Sequence, residues 1–124
     1  MPFQLNFSQR QKYDALESGV TVKTVLRHGD VEINCAAKID TGSQVCLFER
    51  EIGEALGVEI EQGLRIELAT LVGTLTAFGH GITLETLGFA LYTFVYFPMS
   101  YNVQRNILGR QGWLQLVRLA IIRL

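Results

Sequence analysis

Ile39-Asp40-Thr41-Gly42-Ser43 closes the run Val31-Glu32-Ile33-Asn34-Cys35-Ala36-Ala37-Lys38, and this junction decides how the rest of the chain reads. Val31, Ile33, Cys35, Ala37 and Ile39 share one face at the two-residue period of a strand, while Glu32, Asn34 and Lys38 share the other. A strand ending there delivers Asp40 into a loop beside two hydroxyls and a glycine. Asp, Gly and Ser are also ordinary turn residues, so the tetrapeptide by itself fits a plain turn equally well. The surroundings decide. Upstream, Val20 to Arg27 is a second β-branched run, and His28-Gly29-Asp30 between the two is a tight-turn signal, which predicts a hairpin. Downstream, Val45 to Phe48 reads as a strand and Glu49 to Leu56 as a short helix that stops at Gly57.

Further out, Arg65 to Leu71 and Leu75 to Phe78 flank Val72-Gly73-Thr74 and predict a second hairpin. Gly79-His80-Gly81 reads as a break before Ile82 to Leu87, and Gly88 separates that segment from the aromatic strand Phe89 to Phe97, which Pro98 ends. Asn106-Ile107-Leu108-Gly109-Arg110 is an apolar, apolar, glycine crossing. A short helix with Trp113 and Leu114 follows it, and Val117 to Leu124 reads as a terminal strand. Ahead of all this, Phe3, Leu5 and Phe7 alternate with polar residues, and Ser8 with Gln11 resembles a capping box for a helical turn ending near Gly19.

The Asp40-Thr41-Gly42-Ser43 loop behind its strand, answered by Ile107-Leu108-Gly109-Arg110, resembles the retropepsin-like (retroviral-type) aspartic proteases. The resemblance runs from Val20 to about Leu124, with the intervening strands similar only in kind. It implies a mainly β, half-barrel domain over residues 20–124 with a flap hairpin and a short C-terminal helix, preceded by a leader over 1–19. It also implies a homodimer that hydrolyses peptide bonds in extended apolar segments, with Asp40 from each chain as the catalytic group and no cofactor. Thr41, Gly42 and Ser43 would support it. The glycine amide and the Ser43 hydroxyl would donate to the carboxylate, and Thr41 would link the two loops. Leu71, Val72, Gly73 and Thr74 correspond by order to the flap that closes over substrate, although any β-rich domain has glycine turns.

Ile107, Leu108, Gly109 and Arg110 form the second structural element, in which Gly109 lets the strand pass close to the Asp40 loop. Arg110 matches an arginine that pairs with an acid in the viral enzymes. Here Gln44 stands at the acid's position, which leaves Arg110 to Gln44, a backbone carbonyl, Glu49 or solvent. Lys38 is a second departure, at a position more often apolar in the family.

The chemistry needs two carboxylates a hydrogen bond apart that share one proton, because adjacent like charges do not both ionise easily. The chain has three aspartates, and neither Asp14 nor Asp30 lies in a second loop of this kind. The missing carboxylate is therefore expected from Asp40 of another copy. A dimeric binding or assembly module on the same fold that cuts nothing is the main alternative, since fold does not establish function. A small-ligand β-barrel unrelated to proteases is a third reading.

Composition bounds the remaining possibilities. A 124-residue chain is one domain that buries roughly two-thirds of its unfolded surface. Hydrophobic residues make up 48% and charged residues 19%, which is too apolar for a solvating segment. The surplus goes either into an ordinary core or against a second copy. With 11 basic and 12 acidic residues dispersed along the chain, nucleic-acid binding is disfavoured. Gly88 to Met99, the longest apolar run, is too short to cross a ~30 Å bilayer core as a helix, and the start lacks a secretory pattern. A cytoplasmic protein with no membrane partner is expected. Cys35 and Cys46 then read as buried thiols, and His28 and His80 have no cysteine at metal-ligand spacing, so no metal is expected.

Overall fold

The computed structural model describes residues 19–117 together with 6, 7, 10, 12 and 119. Most of the expected leader and of the expected terminal strand lie outside the described residues. β1 (Val20–His28) and β2 (Val31–Ile39) pair antiparallel from Val20 opposite Ile39 to His28 opposite Val31. Gly29, at φ 59°, turns the chain with Asp30, a two-residue connection of the kind that matches strand twist. Burial along β2 is graded, from exposed Val31 at the hairpin tip to buried Ala37 and Ile39 next to Asp40.

The helix α1 (Arg50–Ala55) ends at Leu56, with Gly57 at φ 82° taking the left-handed position that ends many helices. A 3-10 turn (Ile60–Gln62) leads into β3 (Leu64–Thr70), which pairs with the start of β4 (Gly73–Thr86). β4 carries β3 and then β1 along one edge, and β5 (Phe89–Pro98) along the other. Leu87 and Gly88 connect β4 to β5 with φ 53° and 85°. β6 (Ile107–Leu108) lies parallel to the end of β2, and a 3-10 turn (Leu114–Leu116) follows.

Three expectations change here. β4 does not break at Gly79-His80-Gly81 but pairs with β5 throughout, Gly79 opposite Tyr96 and Gly81 opposite Phe94. A Cβ on Gly79 would fall on the rings of Phe94 and Tyr96, and one on Gly81 would fall on the Tyr92 hydroxyl. These glycines make room for aromatics of the next strand rather than turning the chain. Val45 to Phe48 is not a regular strand. Val45 bridges Gln111, and Leu47 bridges both Tyr96 and Ile107, so the segment divides its backbone bonds among three partners. The expected helix after Arg110 is the single 3-10 turn, because Gly112 at φ 94° interrupts it.

Two apolar clusters hold the sheet together. The larger gathers Val22, Leu26, Ile39, Phe48, Leu84, Phe97, Leu108 and the fully buried Trp113. The smaller joins Val45, Leu47, Ala77 and Tyr96, with Ile66, Leu68, Leu75, Val103 and Ile107 packed against them. Ile107 and Leu108, neighbours in a strand, point to opposite faces and so belong to different clusters.

Candidate active site

Asp40 is the first residue past β2, and its position is fixed from its own backbone outward. Its amide donates to the Leu108 carbonyl at 3.0 Å, one rung beyond Lys38, whose amide donates to the Asn106 carbonyl at 2.8 Å. Its carbonyl accepts from the Ser43 amide at 3.2 Å, which closes the loop. The half-buried carboxylate accepts one hydrogen bond among the described residues, from the Gly42 amide to Oδ1 at 2.9 Å. A charge-assisted bond of this kind orients the carboxylate and leaves its other oxygen available. Thr41 and Gly42 are exposed at the outer side of the loop.

Ser43 differs from expectation. Its hydroxyl donates to the Val45 carbonyl at 2.8 Å, and with one proton to give it does not also donate to Asp40. Ser43 instead shapes the loop. Its own carbonyl accepts from the Arg110 amide at 3.0 Å, and the Gln44 carbonyl accepts from the Gln111 amide at 2.9 Å.

The Ile107-Leu108-Gly109-Arg110 run threads between β2 and the segment after the loop. Leu47 and Ile107 exchange both backbone bonds, at 3.0 and 2.7 Å, while Leu108 serves Asp40 on the other side. Gly109 is buried against this crossing. A Cβ there would overlap the Val45 carbonyl and crowd the carbonyl oxygen of Ser43, both of them backbone groups that cannot swing aside. Arg110 itself is exposed, and among the described residues its guanidinium has no hydrogen-bond or ion-pair partner. Behind the loop, the Cys46 thiol donates to the Gln111 carbonyl, and burial raises it to about 11 while a bond from the Gly109 amide pulls the other way.

The β3–β4 hairpin turns at Leu71-Val72, one residue earlier than the glycine-centred turn expected over Val72-Gly73-Thr74. Thr70 pairs with Gly73, so Gly73 and Thr74 already belong to β4. Gly73 sits at φ 135°, which L side chains rarely adopt, and this explains a glycine beside the tip rather than in it. The Thr70 hydroxyl closes the turn by donating to the Gly73 carbonyl at 2.7 Å and accepting from the Val72 amide at 3.3 Å. Leu71 is 106% and Val72 98% exposed, so two large apolar side chains stand wholly in solvent. The base of the hairpin joins the smaller cluster, where Ile66, Leu68 and Leu75, like Ile107, pack against Val45, Leu47, Ala77 and Tyr96. The cluster thus packs against Ile107, the neighbour of Leu108, whose carbonyl holds the Asp40 amide.

Other polar groups are committed elsewhere. A concavity of about 290 Å³ is lined by Arg50, Glu54, Ile60 and Glu61 and includes none of the Asp40 loop. Arg50 is bound there by both oxygens of Glu61 at 2.6 and 2.7 Å and lies over the Tyr101 ring, so the concavity is an ion-paired seam. His80 Nε2 lies 2.9 Å from the Ile60 carbonyl, and no group of three or more possible metal ligands occurs among the described residues. Among them, too, no helix is long and apolar enough to cross a membrane. Asn106, quoted in the crossing but given no role from sequence, bonds through its side chain to both Ala36 and Glu49. An asparagine placed directly before the apolar pair, outside any evident turn or cap, was the available signal.

No family model matches the chain, and no curated protein matches it. Solved structures do. The chain is similar to EIAV protease, in the complex with the inhibitor HBY-793, at a TM-score of 0.63 and 18% identity over 89% of this chain and 100% of that one. At that identity the likeness speaks for architecture, and the architecture is the mainly β, retropepsin-like fold.

Proposed function

We propose that this chain is an aspartic endopeptidase that works as a homodimer, each copy contributing Asp40 to one shared site. The observation that carries the reading is the Asp40 carboxylate itself, set by the Leu108 and Gly42 bonds just past the buried end of β2 and left with an oxygen uncommitted. Asp30 is at the far tip of the β1–β2 hairpin, and in the sequence neither it nor Asp14 lies in a second loop of the Asp40 kind. A second copy supplies the partner carboxylate. Likeness of fold to a viral protease agrees with this reading.

In the proposed mechanism a water lies between the two Asp40 carboxyls, which hold one proton between them. The ionised carboxylate takes a proton from the water as its oxygen attacks the peptide carbonyl, and the protonated carboxyl donates to the developing oxyanion. Collapse of the tetrahedral intermediate breaks the C–N bond, and a carboxyl proton passes to the leaving nitrogen. Substrate binds as an extended strand beneath the β3–β4 hairpins, with Leu71 and Val72 against it and Gly73 and Thr74 following in the strand. Backbone bonds give affinity, and alternating pockets along the apolar wall of Leu47, Leu68 and Ile107 select apolar side chains.

The test is a cleavage assay on an extended apolar peptide from acid to alkaline pH, with fold and dimer followed in parallel. A coupled pair sharing one proton gives a bell-shaped profile with its maximum on the acid side of neutrality. Cleavage greatest at alkaline pH contradicts the shared-proton mechanism. A partner protein bound equally well by the chain and by its Asp40→Asn variant, with no cleavage by either, favours the assembly module instead.

A further inference from the structure

β6 is two residues long, yet it supports the strand end that carries Asp40 on one side and the segment leading into α1 on the other. On the β2 side the parallel ladder runs from the Asn106 carbonyl, taken by the Lys38 amide, to the Leu108 carbonyl, taken by the Asp40 amide. The next rung outward would be a backbone amide at 106 donating to the Ala36 carbonyl. Asn106 Nδ2 makes that bond instead, at 3.2 Å. On the other side Leu47 and Ile107 exchange both bonds, and the next antiparallel rung would bring the Glu49 amide to the Arg105 carbonyl. Asn106 Oδ1 takes that bond, at 3.1 Å.

One carboxamide thus replaces two missing peptide groups where the chain leaves the sheet. Its orientation is determined, because Glu49 offers an N–H and Ala36 offers lone pairs, so oxygen must face the first and nitrogen the second. We infer that Asn106 is a positioning residue for Asp40: its side chain extends both ladders of β6 by a rung and clamps the Asp40 strand end to the segment that begins α1. Alanine removes both bonds. Aspartate keeps the acceptor for Glu49, loses the donor to Ala36 and turns lone pairs toward that carbonyl. The kinetic half of the inference rests on the reading of Asp40 as the catalytic carboxylate, while the structural half does not.

The experiment compares the full chain with Asn106→Ala and Asn106→Asp by residue-resolved amide hydrogen exchange, and by kcat and KM on one apolar peptide at equal dimer occupancy. In Asn106→Ala, exchange at Lys38, Asp40 and Glu49 speeds up about tenfold or more, while amides in the middle of the β1–β2 hairpin are unchanged. kcat falls about 10- to 100-fold with KM within about twofold, as expected for a displaced reacting group. In Asn106→Asp the Glu49 amide regains its protection, Lys38 and Asp40 stay fast, and kcat stays low. Unchanged exchange at Lys38 and Asp40 in both variants overturns the clamp. So does a kcat loss that only follows a uniform loss of protection across the sheet. If the unsubstituted chain cleaves nothing, the endopeptidase reading fails, and the exchange pattern alone still decides the role of Asn106.

Discussion

The Asp40–Ser43 loop and the Leu71–Val72 turn are both short connections beside a glycine, yet they are held in opposite ways. The loop is tied on each side: Asp40 to Leu108, Ser43 to Arg110 and Gln44 to Gln111, with Gly109 pressed against the Val45 carbonyl. The hairpin tip is closed only by Thr70 and Gly73, and its two apolar side chains are exposed at 106% and 98%. Local opening free energies follow such differences, because exposed segments with few packed contacts open far more easily than buried, bonded ones. The molecule presents a fixed carboxylate and a yielding apolar tip. The proposed function needs that difference, chemistry at the first and closure over substrate at the second.

Substitution at Asp40 should break the comparison most severely. Asp40→Asn is expected to lower kcat about 10⁴-fold or more while fold and dimer persist, since the amide oxygen still accepts from Gly42. Kinetics alongside circular dichroism and sedimentation check it. The two glycines come next. Gly109→Ala drives a methyl into the Val45 backbone and should destabilise the chain by about 3 kcal/mol or more, whereas Gly73→Ala strains a solvent-exposed φ and should lose about 1 kcal/mol. Urea midpoints at unchanged m-value measure both.

Smaller again is the change from replacing Leu71 and Val72 together by serine. Stability should move by less than about 0.5 kcal/mol, because neither side chain is buried, while KM for an apolar peptide rises about fivefold or more. An unchanged KM would remove the tip from the substrate site. A separate effect, seen only at alkaline pH, concerns the thiols. Burial raises Cys35 and Cys46 from the ordinary 9.0 to about 11, with Glu49 adding to the first. The unfolded chain therefore releases these protons at lower pH than the folded one. Their contribution to stability is fully present below about pH 9 and is lost as pH rises toward 11. Denaturation midpoints from pH 8 to 11 should fall, and less so in Cys35→Ala.

Much of this was legible in the residues because it is local. Alternation over Val31 to Ile39, the His28-Gly29-Asp30 turn and the stop at Gly57 each need only a few neighbours to act, and each forms as expected. What was not legible depends on partners far along the chain. Gly79 and Gly81 look like a break until the rings of Tyr92, Phe94 and Tyr96 are laid over them. Val45 to Phe48 looks like a strand until its bonds are divided among Gln111, Tyr96 and Ile107. In the site, the Gly42 amide donates to Asp40, but the Ser43 hydroxyl turns to Val45, and the bonds of Asn106 become visible only when Ala36 of β2 and Glu49 before α1 are both placed beside it.

If each chain carries half of a site, dilution separates the halves. Specific activity on an apolar peptide should be measured against protein concentration, with the dimer fraction determined by sedimentation at each point. Activity per milligram should fall in step with the dimer fraction and vanish for the monomer. Activity per milligram that stays constant down to a verified monomer would contradict the shared site.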